Sequence, residues 1–227
     1  MSELSWLPFL LQTSDALFPT GAYAHSLGFE EMVRLGVVRD EVTLREFVEE
    51  QIVPALAGME LPYLRFALGA ENLEELCQID AEIDAWKLAY ETREASKQIG
   101  GRRLKALRAI SDATLLVEVE DAIQQGRARG HHLVVCALQA RVENVPLEGA
   151  LATYAYQSIA AICSAALKLI RIGQDGCQRV LRGGTLQIPE AIAKSLEVPR
   201  EKAGCFNPLL EIASMRHEFA EERLFIS

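Results

Sequence analysis

The chain has 227 residues, of which 50% are hydrophobic and 24% are charged, and its formal net charge is -9. This balance is typical of a globular protein and excludes a disordered chain. The negative charge would repel a polyanion, so we expect no nucleic-acid partner.

Apolar residues recur at helical spacing along almost the whole chain, and strand signals are nearly absent. The first predicted helix covers residues 22–35, before Gly36. A second begins after Thr43, which forms a capping pair with Glu46, and Pro54 should kink it.

The clearest amphipathic pattern follows a second capping pair, Asn72 with Glu75. Its apolar positions alternate steps of three and four, which predicts one helix. They are Leu76, Ile79, Ile83, Trp86 and Tyr90.

The second half of the chain predicts further helices over residues 93–110, 113–125, 132–144, 147–172 and 208–222. The most apolar stretch, residues 154–167, stops at Lys168 and is short for a bilayer, so we interpret it as a buried central helix and expect no membrane contact. No linker or internal repeat divides the chain. We therefore predict an all-α fold: one compact domain over residues 1–227, with roughly ten helices around a long apolar central helix.

The cysteines are odd in number and widely spaced in apolar segments, which favours buried, reduced thiols. They are Cys77, Cys136, Cys163, Cys177 and Cys205. The first residues lack the basic start of a secretory signal, so we expect a cytoplasmic protein.

Catalytic motifs are missing: there is no P-loop, dinucleotide glycine fingerprint, nucleophile elbow or paired-cysteine motif. We therefore predict neither an enzyme nor a cofactor. His217 and Glu221 lie four residues apart and make His217 a weak metal candidate, although a structural ion pair is favoured. For His131 and His132 we favour solvation at a helix end.

A basic run from Lys87 to Arg108 could form a patch for an acidic partner, and a solvated helix face is the favoured interpretation. Gly100 and Gly101 lie inside this run. We interpret them as a packing or hinge element.

Four segments resemble the UreF family of urease accessory proteins. Residues 10–30 read LLQTSDALFPTGAYAHSLGFE and resemble the family's opening signature, in which Pro19 and Gly21 set a turn. The other three are TREAS at 92–96, LIRIGQDGCQ at 169–178, and FNPLLEIASMRHE at 206–218 followed by RLFIS. Ala22, Lys168 and Glu211 depart from the usual residues, and lysine cannot reproduce a bidentate arginine contact.

The resemblance implies a non-catalytic, homodimeric, all-helical scaffold for nickel insertion into urease. It would bridge the accessory protein UreD or UreH and the GTPase UreG, and act on the urease apoenzyme. The partner-binding residues that it implies are Tyr23, His25, Glu30, Lys168, Phe206, Pro208, Leu209, Glu211, Met215, Arg216, His217, Glu218, Arg223, Leu224 and Phe225.

Two of these regions have a structural alternative. The tail at about 206–227, with its apolar end, could order against UreD or UreH or pack on the chain's own core. The opening signature could contact UreG or simply turn the chain into its first helix. Two other classes of protein also stay open: a small-molecule enzyme with Cys136 or Cys163 as nucleophile, and a generic helical scaffold.

Overall fold

The computed structural model describes residues 4–205 and 207–226, and that part of the chain contains helices and no β-strand. The predicted all-α class is confirmed. The α-helices are α1 (Leu7–Ser14), α2 (Phe29–Arg34), α3 (Glu41–Phe47), α4 (Val53–Ala55), α5 (Leu61–Gly69), α6 (Leu73–Trp86), α7 (Tyr90–Arg108), α8 (Thr114–Gln124), α9 (His132–Val142), α10 (Leu147–Leu169), α11 (Gln174–Leu186), α12 (Ile188–Glu197) and α13 (Pro208–His217).

The long apolar helix α10 lies at the centre of the fold, as predicted. It packs against α2, α5, α9, α11 and α12, and its buried side chains from Leu151 onward join the main hydrophobic core. Its 23 residues are long and apolar enough to cross a membrane, contrary to the sequence estimate, and half of its most apolar window is buried in the protein. Such packing is that of a core helix.

The helix expected over residues 22–35 is wrong in its first half. The chain forms a short 3-10 turn at Ala22–Ala24, and α2 begins only at Phe29. Leu27 and Gly28 have φ angles of 53° and 88°, which a right-handed helix cannot contain. Two successive left-handed residues therefore separate the turn from α2.

The helix that was expected to begin after Thr43 begins earlier, at Glu41. Asp40 caps α3, accepting a hydrogen bond from the Thr43 backbone N–H, while the Thr43 hydroxyl accepts one from the Asp40 backbone. Thr43 is thus the inner partner of this capping box. By contrast, Asn72 caps α6 as predicted, because its side chain accepts from the Glu75 backbone N–H.

Pro54 lies inside a helical run that continues from α3 to α5. The segments on either side of it, Val48–Ile52 and Leu56–Glu60, are π-helical. Because proline lacks an N–H and its ring crowds the preceding turn, wider i→i+5 bonding around it keeps the run helical.

Other boundaries agree with the sequence or shift by a few residues. Helices α7 to α10 match their expected ranges within three residues at each end. Tyr90, however, opens α7 rather than closing α6, which ends at Trp86. The helix expected over 208–222 ends at His217, because the chain tightens into i→i+3 turns and then folds back.

Candidate partner-binding site

The opening signature forms an exposed turn packed on α7. Gly21 has a φ of 71°, and a Cβ there would clash with the guanidinium of Arg102. Leu17 and Tyr23 project into solvent, with 91% and 79% of their surface exposed. His25 is buried, and burial, followed by the charge of Arg102, lowers the pKa of its ring. The turn therefore displays Tyr23 and hides His25.

Glu30, on the first turn of α2, faces the carboxyl-terminal residues. Its Oε1 accepts the Leu224 N–H at 2.8 Å, and its Oε2 accepts the Phe225 N–H at 3.0 Å. The same Oε2 lies 3.2 Å from Nε2 of His217. Both carboxylate oxygens are thus engaged with the chain's own tail.

His217, at the end of α13, is buried between two carboxylates. Its Nε2 faces Glu30, and its Nδ1 lies 2.7 Å from Oε2 of Glu91. A neutral imidazole has one N–H and can donate it to one of these carboxylates. Since the two nitrogens point to opposite sides of the ring, His217, Glu30 and Glu91 do not converge on a common metal position. Within residues 4–205 and 207–226, no group of three or more His, Cys, Asp and Glu could hold a metal ion.

The last residues form a strap, defined as residues 219–226, that folds back over α2 and α10. Arg223 bonds Glu91 at 2.7 Å, and the Ile226 N–H donates to the Ala24 carbonyl at 2.9 Å. Phe225 is buried in the core cluster, with Nζ of the exposed Lys168 5.1 Å from its ring centroid. The strap therefore packs on the chain's own core and leaves Leu224 and Ile226 exposed.

Helix α13 is buried on one side and exposes apolar residues on the other. Ala213, Ser214 and His217 face α2 and α7, and a Cβ at Gly28 would clash with the Ser214 hydroxyl. The outward side carries exposed apolar residues at steps of three and four, which we call the α13 outer face. It consists of Leu209, Ile212 and Met215 of the helix together with Phe219, the first residue of the strap.

The remaining residues implied by the resemblance lie around this face. Pro208, Arg216 and Glu218 are exposed, and Arg216 forms a 3.3 Å ion pair with buried Glu31. Glu211 is half-buried, and burial raises the pKa of its carboxyl, an effect that Lys87 opposes. Phe206 lies outside the described residues.

Sequence reasoning pointed to the apolar end of the tail, including Ile226, but missed three exposed apolar residues in these regions: Leu17, Ile212 and Phe219. The spacing of Leu209, Ile212, Met215 and Phe219 could have revealed the outer face, because it marks an apolar stripe on a helix. Leu17 carried no comparable signal.

The basic run does not form a continuous patch. Arg103 is buried and donates to the Gln139 side chain, Lys97 pairs with Glu94 and Asp84, and Arg93 bonds the Lys87 carbonyl. Most of these charges are thus satisfied inside the molecule.

His131 and His132 are not solvated at a helix end, so that interpretation was wrong. His131 is fully buried, with Nδ1 3.0 Å from the Ser96 hydroxyl and Nε2 3.0 Å from Oδ1 of Asp84. Ser96 is itself buried, and it also accepts the His132 N–H. The constellation has the residue types of a hydrolase triad, but it is closed to substrate and serves to fix the start of α9.

The alternative of an enzyme with Cys136 or Cys163 as nucleophile is disfavoured by the burial of these thiols. Cys136 has a potential base, because its Sγ lies 3.3 Å from Nε2 of His132. Burial, however, raises the pKa of the Cys136 thiol and lowers that of the His132 ring well below its usual range. Burial likewise raises the pKa of Cys163 to about 12. Both cysteines are therefore thiols near neutral pH, and the thiolate is the nucleophilic form.

Comparison with known proteins identifies close similarity to one family. A family model described as UreF matches residues 38–183. A urease accessory protein UreF from Paenarthrobacter aurescens (strain TC1) is 34% identical over 218 residues, covering 96% of each chain. A protein of the same name from Haemophilus influenzae (strain ATCC 51907 / DSM 11121 / KW20 / Rd) is 30% identical over 228 residues, covering 99% of this chain and 97% of its own.

Proposed function

Because the chain belongs to the UreF family of urease accessory proteins, we propose that it is a scaffold that bridges UreD or UreH and the GTPase UreG during nickel insertion into urease. The family is one of accessory proteins and not of enzymes. The scaffold would act in the cytoplasm as a homodimer on the urease apoenzyme.

The observation that carries this proposal is the α13 outer face. Ile212 is 53% exposed and Phe219 is 81% exposed, and Leu209 and Met215 continue the same stripe. Exposed apolar side chains that recur along one side of a helix are typical of protein interfaces. We assign this face to UreD or UreH.

The charges beside this face would set specificity. Arg216 and Glu218 are exposed on the same helix, and Arg223 lies at the edge of the strap. Such rim charges affect association rate and partner choice more than total affinity.

UreG would bind at the opening turn. Leu17 and Tyr23 are the most exposed large apolar side chains of residues 15–25, and the turn that carries them lies against the side chain of Arg102 of α7. An exposed aromatic ring is a favourable interface anchor, because aromatic side chains are enriched among the residues that dominate binding energy. His25, being buried, would support the turn.

The test is co-purification with UreD or UreH and UreG, read by size-exclusion chromatography with light scattering. Point substitutions are sharper than removal of residues 206–227, because truncation would also expose the core beneath Ala213, His217 and Phe225. Ile212→Asp should abolish the UreD or UreH complex. Its matched control is Leu186→Asp, which changes an equally exposed residue of α11 (61%) and should leave the complex intact.

The same experiment distinguishes the proposed UreG interface from the proposed UreD or UreH interface. Tyr23→Ala should remove UreG from the assembly while UreD or UreH stays bound. If wild-type protein forms no complex with either partner, the scaffold role is wrong. If Ile212→Asp and Leu186→Asp behave alike, the α13 outer face is not the interface.

A further inference from the structure

Cys163 and Cys177 bring two thiols together between α10 and α11. The Cys177 thiol donates a hydrogen bond to the backbone carbonyl of Cys163, with Sγ 3.2 Å from the oxygen. The two side chains also touch each other, because a hydrogen bond between the thiols contributes to the pKa of both. Only 2% of Cys163 and 3% of Cys177 is exposed. The core thus holds two nucleophilic groups side by side, and the proposed function uses neither.

Helices α10 and α11 form a closely packed hairpin that holds these cysteines in place. A turn at residues 170–173 joins the two helices. At Gly184, an added Cβ would lie 3.0 Å from Cγ2 of Ile159, so the helices approach each other closely there as well. A disulfide requires Cα atoms about 4.4–6.8 Å apart. Helices in which a thiol of one reaches the backbone of the other are close enough to be joined by such a bond.

The pair lacks the further ligands of a metal site. In the part of the chain that the structure describes, neither cysteine belongs to a group of three or more His, Cys, Asp and Glu that could hold an ion. A structural zinc site, for comparison, has about four such ligands. The characteristic reaction of two adjacent thiols without additional ligands is oxidation to a disulfide.

We propose that Cys163 and Cys177 form a redox-sensitive staple, in which hydrogen peroxide converts the two thiols into a disulfide between α10 and α11. The Cys177 sulfur attacks one peroxide oxygen, so an S–O bond forms, the O–O bond breaks, and the leaving oxygen departs as water with the thiol proton. The Cys163 sulfur then attacks the Cys177 sulfur, the S–O bond breaks, and a second water carries away the Cys163 proton. The sulfurs lose two electrons, which the peroxide gains.

Cys177 is the residue that reacts first. It lies on the outer helix α11, where its neighbours Gln178 and Arg182 are exposed, whereas Cys163 lies on the central helix. Burial raises the pKa of both thiols, to about 12 for Cys163, and the hydrogen bond from Cys163 partly offsets this effect at Cys177. Because the thiolate is the reactive form, oxidation is slow and requires local opening of α11. Cys163 is then reached by the neighbouring sulfur and not by a reagent from solvent.

Mapping of the cross-link tests this proposal without any partner protein. The folded protein is treated with hydrogen peroxide until the half-buried Cys77 is oxidised, and the remaining thiols are blocked with N-ethylmaleimide in denaturant. Mass spectrometry of the unreduced tryptic digest should show residues 142–168 joined to residues 172–179, the peptides that contain the two cysteines. Dithiothreitol should remove this product. Its absence once Cys77 is oxidised would overturn the proposal.

The thermal stability of the oxidised protein provides a second readout. A disulfide between α10 and α11 restricts the unfolded chain, so peroxide should raise the Tm of the wild type by several degrees, and dithiothreitol should reverse the rise. The matched control Cys177→Ser, or Cys177→Ala if the hydroxyl disturbs the core, should show neither the joined peptide nor the rise. An equal rise in the control would mean that the effect comes from other residues, and the staple would be refuted. Neither readout depends on the scaffold role.

Discussion

The neighbouring glycines of α7 provide a matched pair of substitutions with opposite expected effects. A Cβ at Gly100 would overlap the carbonyl oxygen of Gly130 and lie 2.8 Å from the backbone nitrogen of His132. At Gly101, which faces solvent, a Cβ would meet no atom within 4 Å. Both residues are in the interior of an unbroken helix, so the hinge alternative for this pair is wrong and close packing explains Gly100.

Gly100→Ala should destabilise the protein by about 3 kcal/mol, the upper part of the range for overpacked cores. The obstructing atoms are backbone, and the segment cannot retreat easily because Asp80 accepts the N–H groups of Gly130 and His131. Gly101→Ala should stabilise it by about 0.5–1 kcal/mol, because alanine restricts the unfolded chain and favours the helix.

Thermal unfolding followed by circular dichroism measures both effects. For a chain of this length, 1 kcal/mol corresponds to about 2–4 °C in Tm, so we expect a fall of about 6–12 °C for Gly100→Ala and a small rise for Gly101→Ala. Equal Tm values for the two variants would refute the close contact between α7 and the start of α9.

Three further predictions concern buried polar groups. Cys136 and Cys163 should resist iodoacetamide in the folded protein at pH 7.5, because burial raises the pKa of both thiols, and rapid labelling of either by mass spectrometry would contradict this. Asp80→Asn should cost about 1–3 kcal/mol in urea unfolding, because an amide cannot accept all the backbone N–H groups that now bind the carboxylate. Burial lowers the pKa of His132. As the pH falls through about 6.5, the ring therefore gains a proton in the unfolded chain but stays neutral in the folded protein. The free energy of unfolding is thus higher above that pH and decreases below it. His132→Gln should therefore lose less stability than wild type between pH 7.5 and 5.5, and identical losses would show that the ring does not titrate in this way.

The helices that could be predicted from the sequence are those whose periodicity and end residues agree. Asn72 caps α6 because its side chain acts locally, within three residues, and α10 follows from its apolar length. The break before α2 could not be predicted, because Leu27 takes a left-handed conformation that its own chemistry disfavours. Gly28 packs on α13 at this turn, and that contact joins residues far apart in sequence.

The surroundings of His131 and His132 could not be predicted from the sequence for the same reason. A pair such as His131 and His132 at the start of a helix suggests solvent, and nothing nearby in sequence indicates otherwise. The groups that bury His131 come from α6 and α7, where Asp84 and Ser96 reach its two ring nitrogens. Sequence spacing predicts contacts along one helix, whereas these contacts form between helices.

Contacts between distant parts of the chain also connect several of the residues that the family resemblance links to partner binding. Glu30, Lys168, His217 and Arg223 come from three separate regions, and in the structure each contacts either the strap or the carboxylates that hold it. Lys168 shows why a departure from arginine is tolerable, since an ammonium 5.1 Å from the centroid of the Phe225 ring makes a cation–π contact that requires no bidentate geometry. Four residues that build one strap can all affect partner binding without any of them touching the partner. Their shared role predicts that substitutions at Glu30 and Arg223 will be non-additive with each other, whereas either should add to Ile212→Asp on the α13 outer face.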